Sequence, residues 1–169
     1  SATNAGHSLS AVARTSAGLS TTSSPVAVTV NNVAPPVSSN LIPNPSVETA
    51  DPANAQKPQY WLNGGYGTNA ASYTYVTGGH SGTKSVKTQI TSYTSGDAKW
   101  YFDPVAINGG KSYDYSHYFK SSVATDIVVQ FTDANGVDSY LWLGTLAASP
   151  TNWQLFASSF TTPANATKV

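Results

Sequence analysis

The chain has no cysteine and no methionine. Without thiols, no disulfide contributes to stability and no sulfur is available to ligate a metal or attack a substrate. Charge is scarce too: only 9% of residues are Asp, Glu, Lys or Arg, and the formal net charge is zero. Nucleic acid and anionic membrane surfaces demand a basic face, so neither is an expected partner. Apolar runs extend over only a few residues, far short of the roughly 20 that carry a helix across a bilayer, so no membrane insertion is expected. A single Glu, Glu48, stands among the acidic residues.

Catalytic constellations are missing as well. Glycoside hydrolysis uses two carboxylates about 5 to 10 Å apart, and here the lone Glu lies in a proline-pinned stretch while most Asp residues fall at strand ends or turns. No Gly-x-Ser-x-Gly elbow and no Gly-rich phosphate loop occurs. His7, His80 and His117 are scattered without metal-type spacing. The chain is therefore not expected to be an enzyme. Opening on Ser1 and holding no Met, it reads as a piece of a longer precursor.

What is present is Ser, Thr, Gly, Asn and Tyr in β-like patterns. Two runs, His7–Thr15 and Pro25–Asn31, flank a small polar stretch at 16–24 that reads as a turn or short loop. In the second, Val26, Val28 and Val30 alternate cleanly, which predicts a strand. His-Ser-Leu-Ser-Ala-Val-Ala-Arg at 7–14 followed by Ser-Pro-Val-Ala-Val-Thr-Val-Asn-Asn at 24–32 resembles the last two strands of a bacterial immunoglobulin-like repeat. Residues 1–32 are too few to close such a sandwich, which takes about 100 residues. Residues 33–39, with Pro35-Pro36, read as a stiff linker.

From Asn40 onward the chain shows strands and no sustained helical period. Runs at Tyr73–Thr77, Lys84–Ser92, Ala98–Phe102, Ser112–Lys120, Asp126–Thr132, Tyr140–Leu143 and Gln154–Thr161 are separated by Gly-Gly, Ser-Gly-Asp, Asn-Gly and Ser-Pro turns. Short strands at this spacing predict an all-β sandwich. Alternation sends Tyr113, Tyr115, His117 and Phe119 to the core with Ile127, Val129 and Phe131, and leaves Ser116, Tyr118 and Gln130 facing outward. On the Ala98–Phe102 run, Trp100 and Phe102 are predicted inward and Lys99 and Tyr101 outward, although a one-residue slip would exchange them. Tyr140 and Trp142 share a face that either lines a groove or covers a sheet edge. Trp61 and Trp153 are assigned to packing, and Asp133–Asp138 is read as a hairpin turn around Asn135-Gly136.

Asn-Leu-Ile-Pro-Asn-Pro-Ser-Val-Glu at 40–48, His-Ser-Gly-Thr-Lys-Ser-Val at 80–86, Gly-Lys-Ser-Tyr-Asp-Tyr-Ser at 110–116, and Trp153 followed by Phe-Thr-Thr-Pro-Ala-Asn-Ala-Thr at 160–167 come in a telling order. The set resembles the jelly-roll carbohydrate-binding modules appended to bacterial cellulases, xylanases and polysaccharide deacetylases. That resemblance spans residues 40–169 and implies a non-catalytic module of an extracellular or cell-surface protein, with a polysaccharide or cell-wall glycan as partner. It implies a concave binding sheet with Tyr118 and Tyr101 stacking sugar rings while Gln130, Ser116 and Lys99 bond hydroxyls. It also implies a structural calcium ion held by the Glu48 carboxylate and by backbone oxygens near Ser46 and in the turn containing His80 and Thr83. The family closes that cage with an Asp from a final strand, which residues 40–169 do not show. The alternative is a structural or adhesive segment whose open sheet edges are completed by self-association.

Overall fold

The computed structural model describes residues 5–30 and 40–169, which belong to two compact units divided between Ser39 and Asn40. The proline-rich stretch expected as a linker lies outside the described residues. Both units are all-β, with no helix among the described residues.

The first unit is a two-stranded ribbon. β1 (Ala5–Leu9) pairs with β4 (Val26–Val30), and β2 (Val12–Arg14) pairs with β3 (Ser20–Thr22), all antiparallel. The run expected as one strand from His7 to Thr15 is broken at Ser10 and Ala11, and the stretch expected as a loop at 16–24 contains β3. The break has a local cause. Ser23 donates its backbone N–H to the Ala11 carbonyl and accepts the Ala11 N–H on its hydroxyl, at 2.8 and 3.0 Å. At the far end Gly18, at φ +83°, turns the chain between Thr15 and Leu19. Leu9, Val12, Leu19 and Val26 are all exposed, so no core forms among the described residues of the ribbon, and two strands without one are marginal in water.

The second unit contains β5 (Ala50–Asp51), β6 (Asn54–Pro58), β7 (Trp61–Tyr66), β8 (Asn69–Thr77), β9 (Lys84–Tyr93), β10 (Asp97–Phe102), β11 (Ser112–Ser121), β12 (Thr125–Asp133), β13 (Asp138–Leu146), β14 (Ser149–Thr161) and β15 (Ala166–Lys168). Its pairing is nested: β7 with β10 brackets the β8–β9 hairpin, and β11 with β14 brackets the β12–β13 hairpin. β12 is central, with β13 on one side and β15 on the other. Residues 105–107 add to the free side of β15, where Val105 and Val169 exchange both backbone hydrogen bonds.

Strands β5, β6, β7 and β15 are absent from the sequence expectation. Pro58 and Gly64-Gly65 read as breakers, yet Pro58 is fully buried. Gly65 is where two backbones come together, since a Cβ there would lie 2.0 Å from the Asp97 carbonyl oxygen. β15 is three residues long and carries too little pattern to be seen alone.

The core is built from inward aromatics. Phe131, only 2% exposed, meets Phe160 with ring centroids 5.8 Å apart. Phe160 also lies beside Tyr113, while Phe156 contacts Tyr115 and His117. Elsewhere Trp100 sits edge-on to Tyr73 and donates its indole N–H to the Lys87 carbonyl at 3.1 Å. Trp61 sits edge-on to Phe102 and donates to the Asn44 carbonyl at 3.1 Å.

His117 is the polar exception in this layer. Its Nδ1 is buried without a hydrogen-bond partner among the described residues, and burial lowers its pKa below the ordinary imidazole value. Above about pH 6.5 the ring is neutral in folded and unfolded chains alike; below that the unfolded chain takes a proton which the folded chain refuses. Stability is therefore expected to fall as pH drops from about 7 towards 5. His117→Phe should flatten that decline in thermal melts, and equal slopes for variant and parent would refute the assignment.

Candidate functional site

The five residues expected to share one sugar-binding face do not come together. Ser116 and Tyr118 lie on the outward face of β11, and Gln130 lies on the outward face of β12. β11 pairs with β14, whereas β12 has both edges taken by β13 and β15. The two layers meet through Phe131 and Phe160, each on the inner side of its strand. Their outward faces consequently look away from each other, and Gln130 is on the opposite side from Tyr118 and Ser116. Lys99 and Tyr101 do face outward on β10, with Trp100 and Phe102 inward. Lys99 is tied to Asp97, its Nζ 2.8 Å from both carboxylate oxygens, and Tyr101 lies beside Gly64.

Tyr118 is already engaged. The His80 ring stacks on it with centroids 3.5 Å apart and planes 9° from parallel, and Trp153 meets His80 edge-on. Lys120 lies over Trp153, its Nζ 4.8 Å from the ring centroid. One face of Tyr118 is thus covered by the side chain that the calcium expectation placed near a metal.

The outward face of β12 and β13 is better furnished. Tyr140 and Trp142 are 67% and 61% exposed, and they stand across the ladder from Gln130 and Val128 respectively. Residues two apart on a strand project about 7 Å from one another on the same face. The Trp142 indole N–H donates to Asp126 Oδ1 at 3.3 Å, and Thr145 Oγ1 donates to the same oxygen. These bonds, Thr145 first, hold the Asp126 carboxyl below the usual carboxylate range. The alternation of Tyr140 and Trp142 was legible in the sequence. Which side of the sheet they take follows only from the pairing partner of β12.

Glu48 is a stitch between two distant segments. Thr83 donates its hydroxyl to Glu48 Oε2 at 2.6 Å, and the Lys84 backbone N–H donates to Oε1 at 2.9 Å. Those bonds, the Thr83 hydroxyl foremost, keep the carboxyl ionised below its ordinary pKa. Gly82 leaves the room, because a Cβ there would lie 2.2 Å from Oε1. Behind Glu48, Val47 is buried at φ +55° and its carbonyl accepts the Tyr75 hydroxyl.

Of the four residues expected around calcium, Glu48 and Thr83 are in contact, through the Thr83 hydroxyl. The Thr83 carbonyl instead accepts the Gly78 N–H at 2.8 Å. Ser46 is exposed, and the His80 ring belongs to the Tyr118 stack. Among the described residues no group of three or more His, Cys, Asp or Glu side chains gathers at one point. Glu48 and Thr83 supply oxygen donors of the kind calcium takes, but they make only part of a cage for an ion that takes about 6 to 8 oxygens.

Compared with family models, with curated proteins and with solved structures, the chain has no match.

Glu48→Ala is expected to lower the melting temperature, because it frees the 82–84 turn from the segment leading into β5. Gly82→Ala should act in the same direction by pushing the carboxylate aside. Differential scanning calorimetry on both variants decides the matter; two melts like that of the parent would show that the stitch carries no stability.

Proposed function

We propose that residues 40–169 form a non-catalytic carbohydrate-binding module of jelly-roll β-sandwich type within a larger secreted or surface protein. The nested pairing of β7–β10 around β8–β9 and of β11–β14 around β12–β13 supports the jelly roll. The observation that carries the functional reading is the pair of exposed rings, Trp142 and Tyr140, beside the Gln130 amide on one sheet face.

A sugar ring presents a C–H face that lies on an aromatic plane, while its hydroxyls need donors and acceptors at the rim. Gln130 offers both kinds of group. Charge contributes little, and the contact is shallow. Dissociation constants on the order of 10 to 100 μM follow for single glycan chains.

Titration with soluble β-glucan, xylan and chitin oligomers is the direct test. Binding to at least one is expected, with Trp142→Ala weakening it by about tenfold or more, as for a central aromatic anchor. Tyr118→Ala should change affinity less, since its ring is partly covered by His80. No heat with any oligomer and no retardation in glycan-containing gels would dispose of the reading.

A structural calcium ion belongs to the same reading, with the Glu48 carboxylate and the Thr83 hydroxyl among its ligands. Added calcium is then expected to raise the melting temperature of the parent but not that of Glu48→Gln. Identical melts in calcium and in chelator would leave Glu48 with its hydrogen-bonded role alone.

The ribbon supports a second reading, as a structural or adhesive segment, because Leu9, Val12 and Val26 lie exposed on a two-stranded element. Sedimentation at rising concentration separates the two, since a strict monomer would argue against strand sharing between chains.

A further inference from the structure

Strict alternation along β13 would place Trp142 outward, Leu143 inward, Gly144 outward and Thr145 inward. The ladder does not follow that count. Val128 pairs with Trp142 and Ile127 pairs with Gly144, so Leu143 is the extra residue of a bulge. Gly144 takes φ +149°, a conformation that L side chains rarely adopt. Past the bulge the parity is reset, and Thr145 stands directly across from Asp126. Trp142, Thr145 and Asp126 thereby meet on one outward face, joined through Asp126 Oδ1.

We propose that Asp126 is a positioning residue for glycan stacking, a latch that fixes the Trp142 indole by its edge while leaving its face to solvent. The proposal rests on the reading of this face as a sugar-binding one. An exposed indole has two free side-chain torsions, and a ligand that stacks on it must otherwise freeze them at the expense of affinity. Here the carboxylate holds the indole N–H in advance, and Thr145 in turn holds the carboxylate. Bulges are used elsewhere to re-aim side chains at functional surfaces, and this one brings together groups that an unbroken ladder would keep on opposite faces.

The test uses the full chain with ¹⁵N-labelled tryptophan, cellohexaose and xylohexaose as probes, and two readouts. One is hydrogen exchange of the Trp142 indole N–H, assigned by its loss in Trp142→Phe; the other is affinity by calorimetry. Asp126→Ala is expected to speed indole exchange and to weaken hexasaccharide binding by roughly 3- to 10-fold, the scale of one immobilised side chain. Asp126→Asn keeps an oxygen that accepts the indole N–H, so it should stay within about twofold of the parent in affinity. Thr145→Val removes one partner of the carboxylate without touching the aromatic, and should speed exchange in the same direction; it carries the test if Asp126→Ala does not fold.

Unchanged indole exchange in Asp126→Ala would overturn the latch. Faster exchange with unaltered affinity would overturn its role in binding. A parent protein that protects the indole but binds neither hexasaccharide would overturn the glycan reading and the positioning role with it, leaving the latch as a structural feature.

Discussion

The contact between Phe131 and Phe160 decides more than any other single interaction what the second unit can do. It sets the inner side of β12 against the inner side of β14, and because side chains alternate along the regular stretches of a strand, it fixes which residues face outward there. Ser116 and Tyr118 go to one surface, and Gln130, Tyr140 and Trp142 to the other. A binding face assembled across both layers is ruled out by this packing. The surface on β12 and β13 survives as the candidate because it keeps two rings and an amide together.

Alternation is also what makes its interruption in β13 informative. At Leu143 and Gly144 the ladder gains a residue, and an Asp, a Thr and a Trp that would otherwise be divided between faces become hydrogen-bonded neighbours. A Cβ added at Gly144 would meet nothing within 4 Å, so space does not demand glycine there; the backbone angle does. The position therefore ties a local conformational preference to the orientation of an exposed indole two residues away.

Much of the fold was legible because its longer strands have period-two patterns. In β11 the burial alternates residue by residue, and the inward set of Tyr113, Tyr115, His117 and Phe119 is the one the pattern indicates. Strands rich in Gly, Pro and Asn were not legible, since the features that mark them as turns, Gly64-Gly65 and Pro58, are here consequences of close backbone approach and burial. The candidate site was half legible for a related reason. Period-two reasoning says which residues share a strand face, and it cannot say which strands share a sheet. Gln130 was grouped with Tyr118 by parity and by the family resemblance, neither of which fixes the sheet, whereas its neighbours Tyr140 and Trp142 depend on a hairpin register. The Asp126 contact depends on a bulge, for which Gly144 is the only trace in the sequence.

The lone Glu can be understood through the segment that carries it. Asn44, at φ +48°, donates its amide to the carbonyls of Thr49 and Gln59 and accepts the Thr49 N–H, so the chain is folded back on itself just before Glu48. Trp61 caps the same residue by bonding its carbonyl, and Val47 is buried behind it. With the backbone pinned on this side, the side chain must span the gap to the 82–84 turn by its own length. An Asp is one methylene shorter, and the turn cannot approach further, since Gly82 already stands where a Cβ would strike the carboxylate. In a chain with so few charges, carboxylates are kept for junctions of this kind: Glu48 reaches the 82–84 turn, and Asp133 holds the turn after β12 and accepts from the Asn165 amide.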